Sequence, residues 1–244
     1  MQPEETQSNW QIEALAWFET HKAQLAYVGA AALAVWLAAF TYKHVRAGKE
    51  AEANSALASL HKPADRNGKQ TPPSAGEYLK VAEQHAGTPA ANRALLFAAD
   101  RFFTEGKPAE AKTRFEQFLA ANASSPMAAV ALMGVAACQE AAGETDKAMA
   151  TYQQVLAQHA GAPEAHPARL ALGLLHEQKK QPDQALKLYD EVSRAKPVTV
   201  WRMEAEMRRD LLLRQHPQLA GTFSSAASAS SVVVPSATNA PAKK

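Results

Sequence analysis

Cys138 and the eight histidines are the side chains here with the chemistry for nucleophilic attack, proton transfer or metal ligation, and their placement argues against each use. With no second cysteine, an intrachain disulfide and a zinc site built on several thiolates are both excluded, while the redox compartment stays open. Cys138 sits in the run VAACQEAAG, beside small residues that read as a helix interior, where a thiol remains protonated and inert. The histidines are scattered. His85 and His159 fall at equivalent repeat positions near expected helix C-termini, where an imidazolium meets the helix dipole favourably. No Gly-rich phosphate loop, HExxH or GxSxG occurs. No catalytic residue, cofactor site or metal site is expected, and the chain reads as a non-enzyme. Lys and Arg number 26 against 24 Asp and Glu, a balance of +2 that gives no electrostatic footprint for nucleic acid.

What such residues are built into is helical. Of 244 residues, 47% are apolar but only 7% aromatic, and much of the apolar share is alanine. That composition favours closely packed helices over a sheet, so an all-α fold is expected.

Residues 23–42, AQLAYVGAAALAVWLAAFTY, carry no charge. Twenty helical residues rise roughly 30 Å, the hydrocarbon thickness of a bilayer, so the segment reads as a single transmembrane helix. Tyr27, Trp36 and Tyr42, with Lys22 on one side and Lys43, Arg46 and Lys49 on the other, are suitable interfacial anchors. A buried core helix and a cleaved signal peptide are the alternatives. Soluble helices rarely run so long uncharged, and the 22 preceding residues are mostly polar with four glutamates where a short basic region would be needed. Residues 8–22 place Trp10, Ile12, Leu15 and Phe18 at roughly helical spacing, as in a short amphipathic helix on the membrane surface. The basic residues flanking the span favour a cytoplasmic C-terminal domain, but that rule fades before a long domain, and charge alone leaves the side open.

Beyond the span the chain repeats at an offset of 37: Ala111, Phe115 and Phe118 align with Ala148, Tyr152 and Val155 and then with Ala185, Tyr189 and Val192. Pro89, Pro126 and Pro163 recur at the same interval. Each unit reads as a helix, a short turn at Gly106 or Gly143, a second helix and a Pro-containing loop. The small alanine lets two helices approach, and the aromatic four residues later fills the space between neighbours. Three full units are expected at 90–126, 127–163 and 164–197, with 77–87 as the second helix of an eroded fourth and 61–76 as a loop. Val200–Gln215, with Trp201, Met203, Leu211 and Leu212, reads as a capping helix that closes the last apolar face. The expected organisation is a short N-terminal amphipathic segment at 1–22, the transmembrane helix at 23–42, a juxtamembrane helix, loop and half-repeat at 43–88, a repeat domain at 89–216 and a disordered tail at 217–244.

With small residues at Ala99, Ala136 and Gly173 in the first helix and the alanine and aromatic in the second, the pattern resembles the tetratricopeptide repeat. It departs in its period, about 34 residues in the family, in Leu95, Leu132 and Arg169 where a large aromatic is usual, and in a third unit without the turn glycine. The resemblance implies an α-solenoid whose first helices line a protein-binding groove. The residues so placed are Leu96, Asp100, Phe103, Met133, Ala137, Leu170, Leu174 and Glu177. The basic and asparagine clamp by which some relatives hold a C-terminal carboxylate is not matched. A largely apolar groove suits a hydrophobic segment of a client protein.

The whole order, an acidic amphipathic start, an Ala-rich span, the charged helix KHVRAGKEAEANSAL and degenerate repeats, resembles the YfgM-type ancillary subunits of the bacterial Sec translocon over residues 10–200. That resemblance implies a single-pass inner-membrane protein with its N-terminus in the cytoplasm and its repeats in the periplasm. The partners it implies are translocon subunits, periplasmic chaperones and exported clients. An envelope scaffold for cell-wall synthesis, division or outer-membrane assembly is the second reading, and an enzyme the third.

Overall fold

The computed structural model describes residues 10–61, 72–196 and 198–220, and every regular element among them is helical. The elements are α1 (Trp10–Ser59), α2 (Ala75–Gln84), α3 (Pro89–Thr104), α4 (Pro108–Asn122), α5 (Ala128–Ala141), α6 (Thr145–Gln158), α7 (Ala165–Gln178), α8 (Pro182–Ser193) and α9 (Val200–Gln215). The all-α solenoid expected from the 37-residue period is therefore present. The chain divides into two compact units, one made of residues up to Pro73 with Lys80–Ala94 and the other of Ser74–Leu79 with Leu95 onward.

In the first unit, α1 runs unbroken for 50 residues. The amphipathic lead-in expected over 8–22 is not a separate surface helix: from Trp10 it continues directly into the apolar run, because no Gly, Pro or cap interrupts EALAWFETHKAQLA. Residues 1–9 lie outside the described residues. α1 is long and apolar enough to cross a bilayer, and none of its most apolar window is buried. Leu33, Trp36 and Phe40 stay more than half exposed. Farther along, Ala53 and Leu57 become buried, and side-chain bonds tie α1 to the start of α3. Glu50 accepts from the Ala90 backbone N–H at 3.1 Å and pairs with Arg93 at 3.3 Å.

In the second unit, α4 packs on α5, α5 on α6, α6 on α7, α7 on α8 and α8 on α9. The repeat positions named from the sequence form this core. Ala111, Ala148 and Ala185 have no exposed surface, nor do Phe118, Val155 and Val192, and the aromatics Phe115, Tyr152 and Tyr189 are buried. Close approach also depends on glycine. A methyl group on Gly134 would lie 2.4 Å from the Phe115 ring, and one on Gly173 would lie 2.5 Å from the Tyr189 ring.

The first helices end in one recurring motif. Gly106 and Gly143 adopt left-handed φ of 78° and 73°. Lys107 and Glu144 then donate backbone bonds to Phe102 and Gln139, satisfying carbonyls left free at the helix end. The third unit keeps this motif without the glycine: Lys180 takes φ 57°, and the Gln181 N–H reaches the His176 carbonyl at 2.9 Å.

Several boundaries differ from expectation. α2 spans Ala75 to Gln84 and begins where it does because Ser74 and Glu77 cap it reciprocally: Glu77 accepts from the Ser74 backbone N–H at 2.8 Å, and its own N–H donates to the Ser74 hydroxyl. Most of the expected 61–76 loop lies outside the described residues, as does 221–244 of the expected tail. Leu219, placed in that tail, is instead buried with α7, α8 and α9.

α9 also closes the stack differently. Ala205 and Leu212 are its buried residues, while Trp201, Met203 and Leu211, expected to close the apolar face, are exposed. The reason is register. Ala205 follows Ala131 and Ala168 at the repeat interval, Leu212 follows Cys138 and Leu175, and all six are buried. α9 is thus rotated like a first helix of a further unit, which turns Trp201, Met203 and Leu211 outward.

Candidate interaction surface

The common rotational phase of α5, α7 and α9 assembles residues from separate helices into rows. Ala137, Leu174 and Leu211 occupy one row, and Met133, Leu170 and Met207 the adjoining one. Exposure is greatest at the α9 position of each row, although Leu170 in the middle of the second row is buried. Ala137 and Leu174 are half-buried and Leu211 is 47% exposed, while Met133 is half-buried and Met207 is 57% exposed. Met203, one turn earlier on α9, is 79% exposed.

The residues expected to line the groove divide accordingly. Leu96 is 7% exposed within the cluster around Phe115 and Phe118. Leu170 is 5% exposed within the cluster around Leu186, Tyr189 and Leu212. Neither presents a side chain to a partner, because each is drawn into contact with the second helices. Phe103 and Met133 are half-buried and pack against the clusters from outside. Glu177 is engaged internally, accepting from the Tyr189 hydroxyl. Asp100, Ala137 and Leu174 remain as accessible positions of the original set. Met203, Met207 and Leu211 were missed as binding residues, although one more step of the repeat interval from His166, Leu170 and Leu174 reaches them.

Ala137, Leu174 and Leu211 with Met203 and Met207 make an apolar strip with two methionines, side chains that repack around different partners. Ion pairs border it on α9, Arg202 with Glu206 at 2.7 Å and Arg208 with Glu204 at 2.8 Å. Such a strip can take the apolar face of a helix or an extended segment. A second concavity of about 800 Å³ lies at the loop ends of α7 and α8, lined by His166, Arg169, Glu191, Arg194, Thr199 and Trp201. Arg169 pairs there with Glu191 at 3.1 Å, while His166 Nδ1 and Thr199 Oγ1 are buried without a partner among the described residues.

No arrangement for covalent or metal chemistry appears among the described residues. Cys138 is buried, and burial pushes its thiol up to about 11, away from the thiolate that a nucleophile needs. No group of three or more His, Cys, Asp or Glu is placed to hold a metal among the described residues.

A family profile described as tetratricopeptide repeat-like domain matches residues 15–159, and one described as tetratricopeptide repeat matches 143–198. The first match takes in the whole apolar run of α1 together with the first two hairpins. No curated protein matches the sequence significantly. Among solved structures, a tetratricopeptide repeat protein from Parabacteroides merdae is similar at 18% identity and a TM-score of 0.47, covering 62% of this chain and 56% of that one. The present chain thus spans little more than half of that relative's length. MamA is similar at 18% identity and a TM-score of 0.42, covering 66% of this chain and 87% of its own.

Proposed function

The chain belongs to the tetratricopeptide repeat-like domain family, and from that premise we propose that it is a membrane-anchored adaptor whose repeats bind an apolar segment of another protein. The observation that carries this reading is the row Ala137, Leu174 and Leu211 with Met203 and Met207, apolar and open along the rotationally matched first helices. Repeat stacks work through such extended surfaces, and an amphipathic helix or extended strand of a client offers side chains at matching intervals. Anchoring is supported by the unburied apolar window of α1 and by a family match that begins ahead of it.

The architectural resemblance to YfgM-type subunits supports the finer reading. In it the N-terminus is cytoplasmic, the repeats face the periplasm of a bacterial inner membrane, and the clients are exported proteins emerging from the Sec translocon beside periplasmic chaperones. Photo-crosslinkers at Leu174 and Leu211 in cells should capture partners, and with the crosslinker at Leu174 the added changes Met207→Glu and Leu211→Glu should remove them while helicity is kept. Equal capture by that variant refutes the strip. Sec components should dominate the captured set; their absence favours a scaffold of another envelope machine. Protease added to spheroplasts should digest the repeats, and protection refutes the periplasmic placement.

A further inference from the structure

We propose that the first unit carries a binding site for the phosphate of an anionic phospholipid headgroup, at the end of α1 where the apolar run stops. The proposal rests on the membrane reading of α1 and concerns the leaflet that borders Tyr42.

Tyr42, Val45, Arg46 and Lys49 stand at positions i, i+3, i+4 and i+7, so they share one face of α1. That face and the turn Ala86–Gly87–Thr88 enclose a cavity of about 250 Å³, open on one side. Gly87 makes the turn possible with φ 84°, bringing the backbone up to α1. The cavity begins at the last residue of the uncharged stretch, so a span that buries residues 23–42 holds it at headgroup depth.

The charge in the cavity is unspent. Arg46 and Lys49 line it and take part in no ion pair among the described residues, although the acidic Glu50 is adjacent in sequence. Glu50 is committed elsewhere, to the Ala90 N–H and to Arg93. The α3 N-terminus behind the turn adds its positive dipole end but has no donor to spare, because Thr88 already accepts from Ala91 and Asn92. A ligand must therefore meet guanidinium and ammonium together, the combination that favours phosphate oxygens. The Tyr42 ring at the mouth suits the glycerol and upper acyl region. A diffusing phosphate satisfies the cations as well, but only a lipid also uses Tyr42 and Val45.

The test uses the full chain in bilayer nanodiscs of equal parts phosphatidylcholine and phosphatidylglycerol, with lipids retained by the released protein counted by native mass spectrometry. The wild type should retain phosphatidylglycerol in preference, and Arg46→Gln with Lys49→Gln should lower that preference roughly tenfold. Lys43→Gln, a cation at the same depth on another face of α1, should leave it unchanged. Equal retention by the cavity variant overturns the site, as does an equal loss in Lys43→Gln, which would indicate only a diffuse surface attraction. Displacement of the retained lipid by millimolar inorganic phosphate overturns the lipid as ligand and leaves a free-anion site. Alkaline carbonate extraction reads the anchoring separately. Protein that stays in the membrane but shows no lipid preference sinks the site alone, whereas protein washed off sinks the membrane reading first.

Discussion

The Tyr189 hydroxyl donates a hydrogen bond to the Glu177 carboxylate on the paired helix, twelve residues upstream. Tyr152 does the same to Glu140 at the same interval one repeat earlier. In the first repeat, 90–126, the corresponding pair is Phe103 and Phe115, and both polar groups are replaced together. The pairing thus behaves as a unit, since a half-buried carboxylate facing a phenyl ring would lose its donor.

Tyr189→Phe should cost about 1 kcal/mol or somewhat more, because it leaves Glu177 without its bond. Adding Glu177→Phe copies the first repeat and should recover most of that loss. Denaturant unfolding of the four members of this cycle in detergent measures the coupling. Simple additivity of the two single changes would show that the bond contributes nothing specific.

The same pair predicts an alkaline weakness. Burial first, and the bond to Glu177 or Glu140 second, raise the ionisation of Tyr189 and Tyr152 above the ordinary value of 10.0. Below that value both folded and unfolded chains keep the phenolic proton. Above it the unfolded chain releases protons that the folded chain holds, so stability falls as pH rises, by about 1.4 kcal/mol per pH unit for each tyrosine. Unfolding measured from pH 9 upward should therefore show a steeper decline for the wild type than for Tyr152→Phe with Tyr189→Phe. Parallel curves would contradict the assignment.

The hairpins were legible because their determinants are local and periodic: alanine and aromatic four residues apart, glycine or proline at each turn. The accessible surface was less so. Leu170 and Leu174 lie four residues apart and share a helix face, yet only Leu170 is captured by Leu186 and Tyr189 of the next helix. Spacing identifies a face and leaves unstated how far a neighbouring helix overlaps it. The Ser74–Glu77 cap is visible as S-x-x-E, but the composition of 61–76 places Ser74 in a loop. Met207 and Leu211 carry no binding role in the sequence because α9 reads as a cap whose apolar residues face inward. Its register with α5 and α7 rests on Ala205 and Leu212, two residues whose role appears only once the helices are stacked.

Lys180 marks a place where the third unit is improvable. It takes the left-handed conformation that Gly106 and Gly143 take in the first two units. A side chain there costs about 1 kcal/mol, partly offset by the greater freedom of glycine in the unfolded chain. Lys180→Gly should stabilise the protein by roughly 0.5 kcal/mol and raise the melting temperature by a few degrees. Gly143→Lys should do the reverse. If Lys180→Gly destabilises, the lysine has a role that its backbone angle does not reveal.

The division between buried and accessible first-helix residues gives the last prediction. Leu174→Glu places a carboxylate on a half-buried row, where it can reach solvent, and should change stability by no more than about 1 kcal/mol. Leu170→Glu forces the same group into the cluster with Leu186, Tyr189 and Leu212, where it must be desolvated or disrupt the packing. Its expected cost is about 3 kcal/mol or more, read as lost helicity and a lowered denaturation midpoint. Loss of partner binding in Leu170→Glu would therefore report unfolding, whereas loss in a folded Leu174→Glu reports the surface. Equal stability of the two variants would mean that Leu170 is as accessible as Leu174, and the strip would then extend inward along α7.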